Sequence, residues 1–247
     1  MPDELARAYA FLAKADMAGS RTLPSRVGTA HYDDEVPLRL DSNFLLVDEP
    51  AEAEDVLAEA ERLSRRMVVF PDSEQGERLA PFFAGRGWLV RRHLLMAQRR
   101  EPERAADTSR VEEVAEEELR AARTRVVEGE PWAKPEIMAQ LFAGKHRIAQ
   151  RVGVRFFALR EDGEVVSYSD LYQDGADAQV EDVGTLPEHR GHGYATAVVL
   201  AAIEAARADG AEFVFLLADL DDWPKQLYGR LGFDELGYFV KAIAPGT

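Results

Sequence analysis

The segment Val183-Gly184-Thr185-Leu186-Pro187-Glu188-His189-Arg190-Gly191-His192-Gly193-Tyr194-Ala195 passes from an alternating pattern to a helical one through a proline and a glycine-rich turn. Gly191 and Gly193 remove Cβ atoms where a ligand must approach the backbone. Successive N–H groups at the start of a helix form a nest for an anion. Arg190 and His192 add charge beside that nest. No Gly-Lys-Ser/Thr follows, so this is not a nucleotide-binding Walker loop. Nor is it a dinucleotide fingerprint, which needs a parallel strand–helix–strand opening and a third glycine in register.

Upstream of the loop the period is two. Val154–Arg160, Val165–Tyr172 and Ala178–Thr185, separated by Glu161-Asp162-Gly163 and Asp174-Gly175, predict a three-stranded antiparallel meander. Downstream come a helix from Gly193 to Ala208, a strand Phe213–Ala218, a helix Asp222–Leu231 and a strand Asp234–Ile243. Before the meander, Val111–Val114 reads as a strand. Glu116–Glu128 and Pro135–Arg151 read as helices divided by Gly129 and Pro131. The order β-α-α-β-β-β-α-β-α-β predicts an α/β (α+β) fold, a mixed, largely antiparallel central sheet flanked by helices. The polar run Arg99–Ser109 reads as a linker, dividing the chain into residues 1–100 and 106–247.

The first part predicts a helix from Asp3 to Met17 stopped by Gly19, extended segments at Val27–His31 and Phe44–Val47, and a helix Glu52–Leu63. A strand Arg66–Phe70, a helix Glu74–Ala84 and a strand Trp88–Gln98 follow. Phe82-Phe83-Ala84-Gly85-Arg86-Gly87-Trp88 parallels Leu227-Tyr228-Gly229-Arg230-Leu231-Gly232-Phe233. Either both are ordinary helix-to-strand junctions, or the first part is a degenerate copy of the second half of the C-terminal part.

Composition narrows the chemistry. The 247 residues hold no cysteine, which removes thiolate catalysis, disulfides and Cys-ligated metal. Thirty Lys and Arg against 45 Asp and Glu give a net charge of −15, which argues against a general nucleic-acid binder. The five histidines show no ligand spacing, so no metal is expected. The acidic start lacks the basic segment of a signal peptide, and the apolar run Ala195–Ile203 is too short to span a bilayer. The expectation is a cytoplasmic protein of bacterial-style composition, away from membranes, as a monomer or homodimer.

Arg190-Gly191-His192-Gly193-Tyr194-Ala195 resembles the Arg/Gln-x-x-Gly-x-Gly/Ala pyrophosphate loop of the GNAT N-acetyltransferase superfamily. Asp221 through Leu227-Tyr228 to Gly232-Phe233 is similar to the last-helix motif of the same family. The two motifs stand in order with a helix and a strand between them, and the resemblance covers about Ser109–Ala242.

The resemblance implies a GNAT-like fold and an acetyl-CoA-dependent N-acetyltransferase that passes an acyl group directly to a primary amine on a small molecule or peptide. It implies that the backbone of Arg190, Gly191, His192, Gly193, Tyr194 and Ala195 holds the CoA pyrophosphate. The strand bearing Val183 and Thr185 would pair with the pantetheine arm. Tyr228 would protonate the leaving thiolate, against the plainer reading of a core aromatic. Glu181 or Asp182 would serve the amine's proton. Glu181 shares a face with Val183 and Thr185 if the strand is regular, and a bulge near Gly184 would overturn that parity. Both could equally be structural carboxylates.

Asp221 stands where the family often has Asn, which leaves its pantetheine contact open; Asp222 reads as the N-cap. Trp223 reads as a channel lining or as an ordinary aromatic. Glu112-Glu113 and Glu116-Glu117-Glu118 read as a solvated helix face, and nothing follows from Lys134 and Lys145. The N-terminal part lacks the loop and has Phe83 for Tyr228, so it reads as non-catalytic. The alternatives for the whole chain are an inactive acyl-CoA-binding sensor or scaffold and a plain structural α/β protein.

Overall fold

A computed structural model describes residues 2–17, 20–130 and 132–246. The helix stop expected at Gly19 and the break at Pro131 lie outside the described residues. The N-terminal part comprises α1 (Pro2–Asp16), β1 (Arg21–Ser25), β2 (Gly28–Tyr32), β3 (Leu45–Leu46), α2 (Ala53–Arg62), β4 (Met67–Phe70), α3 (Ser73–Ala84) and β5 (Leu89–Gln98). The C-terminal part comprises β6 (Val111–Val114), α4 (Glu116–Val126), α5 (Pro135–Ile148), β7 (Gly153–Glu161), β8 (Glu164–Asp174) and β9 (Asp177–Thr185). It ends with α6 (Tyr194–Ala208), β10 (Phe213–Asp219), α7 (Pro224–Arg230) and β11 (Phe233–Ile243). The mixed, largely antiparallel sheet flanked by helices is the architecture the sequence predicts.

All strands join one 11-stranded sheet in the order β1-β2-β3-β4-β11-β5-β10-β9-β8-β7-β6. The parallel pairs are β3 with β4 and β9 with β10; every other pair is antiparallel. Apart from the edge strand β6, which has no counterpart, exchanging β1–β5 for β7–β11 regenerates the same order and the same strand senses. The repeat therefore embraces a whole β-β-β-α-β-α-β unit, more than the junction motif indicates. At its centre β5 is inserted between β10 and β11, so each half completes the sheet of the other.

This insertion explains why Leu94–Ala97 are all buried: the strand has sheet on both edges and packed layers on both faces. Above one face, α6 and α7 pack Val199, Ile203 and Tyr228 onto Val180, Val214 and Leu216. On the other face α1 and α5 pack Phe11, Leu12 and Ile148 onto Leu95, Tyr172 and Phe215.

The polar linker is held down at its start. Arg99 and Arg100 donate their backbone N–H groups to Gly232 O, at 2.9 and 3.1 Å, and Glu103 N–H donates to Arg230 O at 2.8 Å. A Cβ at Gly232 would collide with the Arg100 carbonyl, and its φ of 90° suits glycine. β1 has no counterpart in the sequence reading, because Arg-Thr-Leu-Pro-Ser is a largely exposed edge strand with no alternating apolar face. α7 begins at Pro224, two residues later than expected. Trp223 is its N-cap, and among the described residues Asp222 accepts only from the adjacent Trp223 N–H, at 2.7 Å.

Candidate active site

The parallel ladder between β9 and β10 pairs Asp177–Val180 with Phe213–Leu216 and ends there. β9 continues to Thr185 and β10 to Asp219, so the two strands part over their C-terminal ends. A gap between parallel strands, at the point where the chain leaves for α6, exposes unpaired strand edge to an extended ligand.

The register of β9 against β8 shifts at this point. Asp170 faces Glu181 and Tyr168 faces Gly184, so β9 holds one residue more than β8 across this stretch. Asp182 sits in the bulge with φ 50°, left-handed for a non-glycine residue. The bulge reverses the parity expected for a regular strand: Glu181 shares a face with Gly184, and Thr185 lies opposite Ser167 on the other face. A Cβ at Gly184 would overlap the Tyr168 ring, so glycine is required there.

What holds Asp182 in this conformation is a buried ion cluster that the sequence reading missed. Lys145 of α5 places Nζ 2.6 Å from Asp170 Oδ2 and 2.9 Å from Asp182 Oδ2. Arg123 of α4 pairs with Asp170, with Glu116 at 3.1 Å, and has Nε 2.9 Å from Asp182 Oδ2. Its guanidinium also lies 5.5 Å from the ring centroids of Phe156 and Tyr168. Burial alone would favour a neutral Lys145 amine, but Asp170 and Asp182 hold it charged, well above its ordinary range. Burial raises the Asp170 carboxyl against the pull of Lys145. Asp182 is lowered, because Lys145 and Arg123 outweigh its burial. Glu116 is buried in this cluster rather than on a solvated face, a correction to the reading of the acidic run. Lys145, from which nothing was expected to follow, is central to it.

Glu181 accepts a 2.6 Å hydrogen bond from Gln179 Nε2, and Gln179 Oε1 is buried without a partner. Tyr228 on α7 is 8% exposed and packs edge-on to Phe233, with centroids 6.1 Å apart. Burial first, and the negative charge of Glu181 second, raise its phenol well above the ordinary value. Tyr228 is therefore protonated at neutral pH and close enough to feel Glu181. Among the described residues its hydroxyl has no hydrogen-bond partner.

Beyond Thr185 the chain makes one 3-10 turn, Pro187–His189, and enters α6 through Gly191 (φ 82°) and Gly193 (φ 80°). Nothing lies within 4 Å of a Cβ built at either glycine, so the space above the loop is open. The first bond inside α6 is Ala197 N–H to Gly193 O at 3.1 Å, which leaves the N–H groups from Gly191 onward available to an anion; the Arg190 N–H, expected to join them, instead closes the 3-10 turn by donating to Pro187 O at 3.3 Å. Glu188 is paired with Arg125, and the Tyr194 hydroxyl donates to Glu161. His192 stacks on Tyr194 at 5.5 Å, and the exposed Arg190 holds Thr185 O at 3.4 Å. The loop is fixed at its sides and open at its glycines.

The structure thus brings Glu181, Asp182, Val183, Thr185, the loop from Arg190 to Ala195, and Tyr228 around one gap. Asp221 is engaged elsewhere: it pairs with Arg92 of β5 at 3.0 Å. Trp223 is 58% exposed beside the start of α7. Glu116, Glu117 and His146 bring one ligand atom each within 4.8 Å of one another, but Arg120 and Arg123 already engage Glu116.

Residues 112–233 match the model of the acetyltransferase (GNAT) family. These residues form a GNAT-family domain. Among functionally curated proteins none matches the chain. A functionally unknown conserved protein from Staphylococcus epidermidis has TM-score 0.69 at 14% identity, over 92% of this chain and 94% of that one. A GCN5-related N-acetyltransferase from Kribbella flavida has TM-score 0.61 at 19% identity, over 98% and 96%. A tandem GNAT protein from the clavulanic acid biosynthesis pathway has TM-score 0.53 at 15% identity, over 98% and 95%. These likenesses span both halves of the chain, in keeping with the doubled topology of the sheet. Among the described residues no helix is long and apolar enough to cross a membrane.

Proposed function

We propose that this GNAT domain transfers an acetyl group from acetyl-CoA to a primary amine. The observation that carries the reading is the coincidence of three features at one gap: parted strands β9 and β10, an open glycine loop with free amides, and a buried protonated phenol.

Acetyl-CoA would supply an activated carbonyl and a pyrophosphate. The open space at Gly191 and Gly193 and the unbonded amides at the start of α6 fit the pyrophosphate, with Arg190 beside it. The edge of β9 at Val183–Thr185, unpaired with β10 and met by Arg190 at the Thr185 carbonyl, fits an extended arm. In the transfer the amine nitrogen bonds to the acyl carbon and the carbon–sulfur bond breaks. Tyr228 holds the proton that the departing thiolate takes. Glu181, beside the gap, accepts the proton the amine loses, directly or through water. Asp182 acts at one remove, since its carboxylate is spent on Lys145 and Arg123. Its part is to hold the bulge that turns β9 toward the gap. The N-terminal half, without loop or phenol, is non-catalytic.

Calorimetric titration of acetyl-CoA into the wild type and into Gly193→Glu tests the donor site. Binding by the wild type, and its loss in a folded Gly193→Glu variant, are expected. No heat and no thermal shift with the wild type would sink the reading.

A further inference from the structure

The face of the sheet that carries Glu181 also carries a cavity of about 90 Å³. Leu217 joins the two. It is the first residue of β10 beyond the ladder with β9, where Glu181 is the next residue on the other side of the gap. Leu217 also lines the cavity. Phe239 forms a second wall from the C-terminal half, and the remaining apolar walls, among them Tyr9, Leu12, Phe44 and Leu46, come from the N-terminal half. The N-terminal loop between β2 and β3 is docked on α5, with Leu38 N–H donating to Gln140 at 2.6 Å and Arg147 paired with Asp33 at 2.9 Å. Asp41 and Lys241 pair at 2.7 Å on the cavity wall.

From this arrangement we infer that the acceptor is a primary amine bearing an aliphatic substituent of about four carbons, its nitrogen at the gap and its chain in the cavity. The inference rests on the acetyl transfer proposed above and names its acceptor class. Three arguments support it. The cavity lining is apolar apart from Asp41, Lys241 and the Tyr9 hydroxyl, which donates to Pro71 O at 3.3 Å, so an alkyl group gains by leaving water. An apolar cavity of roughly 150 Å³ takes a benzene ring, so 90 Å³ suits a shorter chain of about four carbons. Finally, Asp41 is already neutralised by Lys241, so a second ammonium carried into the cavity would find no free counter-charge and would pay its desolvation unrelieved. Diamines are thereby selected against, and the N-terminal half acquires a role in specificity.

The test is the initial rate of acetyl-CoA consumption with ethylamine, n-butylamine, n-hexylamine and 1,4-diaminobutane. The series is run on the wild type, on Leu46→Phe and on Leu46→Ala. In the wild type kcat/KM should peak at n-butylamine, about tenfold above ethylamine for two added methylenes. The diamine should fall below n-butylamine. Leu46→Phe fills the cavity and should bring n-butylamine down to ethylamine. Leu46→Ala should move the optimum to n-hexylamine. Acetyl-CoA titration should be unchanged in both variants, and should one of them not fold, the other and the wild-type series still decide. Equal rates across the wild-type series, or a butylamine preference that survives Leu46→Phe, overturns the inference. Acetyl-CoA binding with no alkylamine consumed also overturns it while leaving the donor site standing. Failure of acetyl-CoA to bind sinks the transfer reading itself.

Discussion

Replacing Lys145 by methionine removes one cation from a cluster whose charges otherwise balance. Glu116 and Asp170 face Arg123 and Lys145 inside the protein, Asp182 meets the same two cations from a half-buried position, and Arg120 closes on Glu116 from outside at 2.6 Å. Without Lys145 the deficit falls on Asp170, which is 0% exposed, and on Asp182. Breaking a buried pair on one side costs about 3–5 kcal/mol. Arg123 still reaches both carboxylates, so the lower end, about 3 kcal/mol at pH 7, is expected.

The sign of the pH effect follows from the same geometry. In Lys145→Met the orphaned carboxyl titrates above its unfolded value, so the folded state binds the extra proton. Its penalty is then full at neutral pH and shrinks as pH falls toward 5. Adding Asp170→Asn removes the orphaned charge and should recover more than half of the loss, giving a coupling energy of about 2 kcal/mol in the double-mutant cycle. Urea unfolding followed by circular dichroism at pH 7 and pH 5 reads both quantities. A loss below about 1 kcal/mol, or one that does not change between the two pH values, would refute the assignment of Asp170 and Asp182 as ionised partners of Lys145.

Tyr228→Phe should lower kcat by about 10²–10⁴ at an unchanged KM for acetyl-CoA, with little change in stability, because the hydroxyl has no partner among the described residues; a steady-state comparison with any active amine decides whether it is only a core aromatic. Gly193→Ala meets no neighbour, so its cost is the left-handed backbone, about 1–2 kcal/mol, whereas Gly184→Ala meets the Tyr168 ring and should cost more; thermal melts of the pair rank them. His93, stacked on Phe239 with centroids 5.2 Å apart, is pushed down to about 3, chiefly by burial and next by Lys241. It is neutral in both folded and unfolded chains above pH 6.5, and below that the unfolded chain takes the proton first, so stability falls by up to roughly 1.4 kcal/mol per pH unit. His93→Phe should flatten that part of the pH profile relative to wild type, as read by urea midpoints between pH 7 and 4.5.

The elements on either side of the glycine loop are legible because their signals are local. Alternation with Asp-Gly and Gly turns marks β7–β9, and Gly193 followed by an apolar helical run marks α6. The ion cluster is not legible in that way. Its members lie on α4, α5, β8 and β9, and each taken singly resembles a solvated charge. One signal was present: Arg123 falls on the same helical stripe as Leu119 and Val126, and Lys145 on that of Met138 and Ile148, where a charge must find a partner. The bulge has only a weak residue signature: Gly184 marks the stretch and aspartate tolerates a left-handed φ, but nothing local singles out Asp182 as the extra residue. The insertion of β5 between β10 and β11 is likewise a long-range pairing that the sequence of neither half encodes alone.

The doubled topology sets each strand of the C-terminal half, apart from β6, against a counterpart in the N-terminal half. Where β9 leads through Arg190-Gly191-His192-Gly193 into α6, β3 leads through Val47-Asp48-Glu49-Pro50 into α2. That connection, residues 47–52, carries three carboxylates, Asp48, Glu49 and Glu52, and no glycine, so it would repel a pyrophosphate and offers it no open backbone. Where Tyr228 faces the gap, the matching Phe83 is fully buried against Phe70 and Trp88 and has no proton to give. Where β9 and β10 part, the β3–β4 contact is continued by Val47 N–H to Val69 O at 2.9 Å. Each feature on which the proposed transfer rests is present in one half and missing from the other. What the N-terminal half retains is β5, without which β10 and β11 would lose their shared neighbour, and the side chains that wall the cavity beside Leu217. Selection on that half would therefore act on sheet completion and, under the proposed transfer, on the shape of the acceptor cavity.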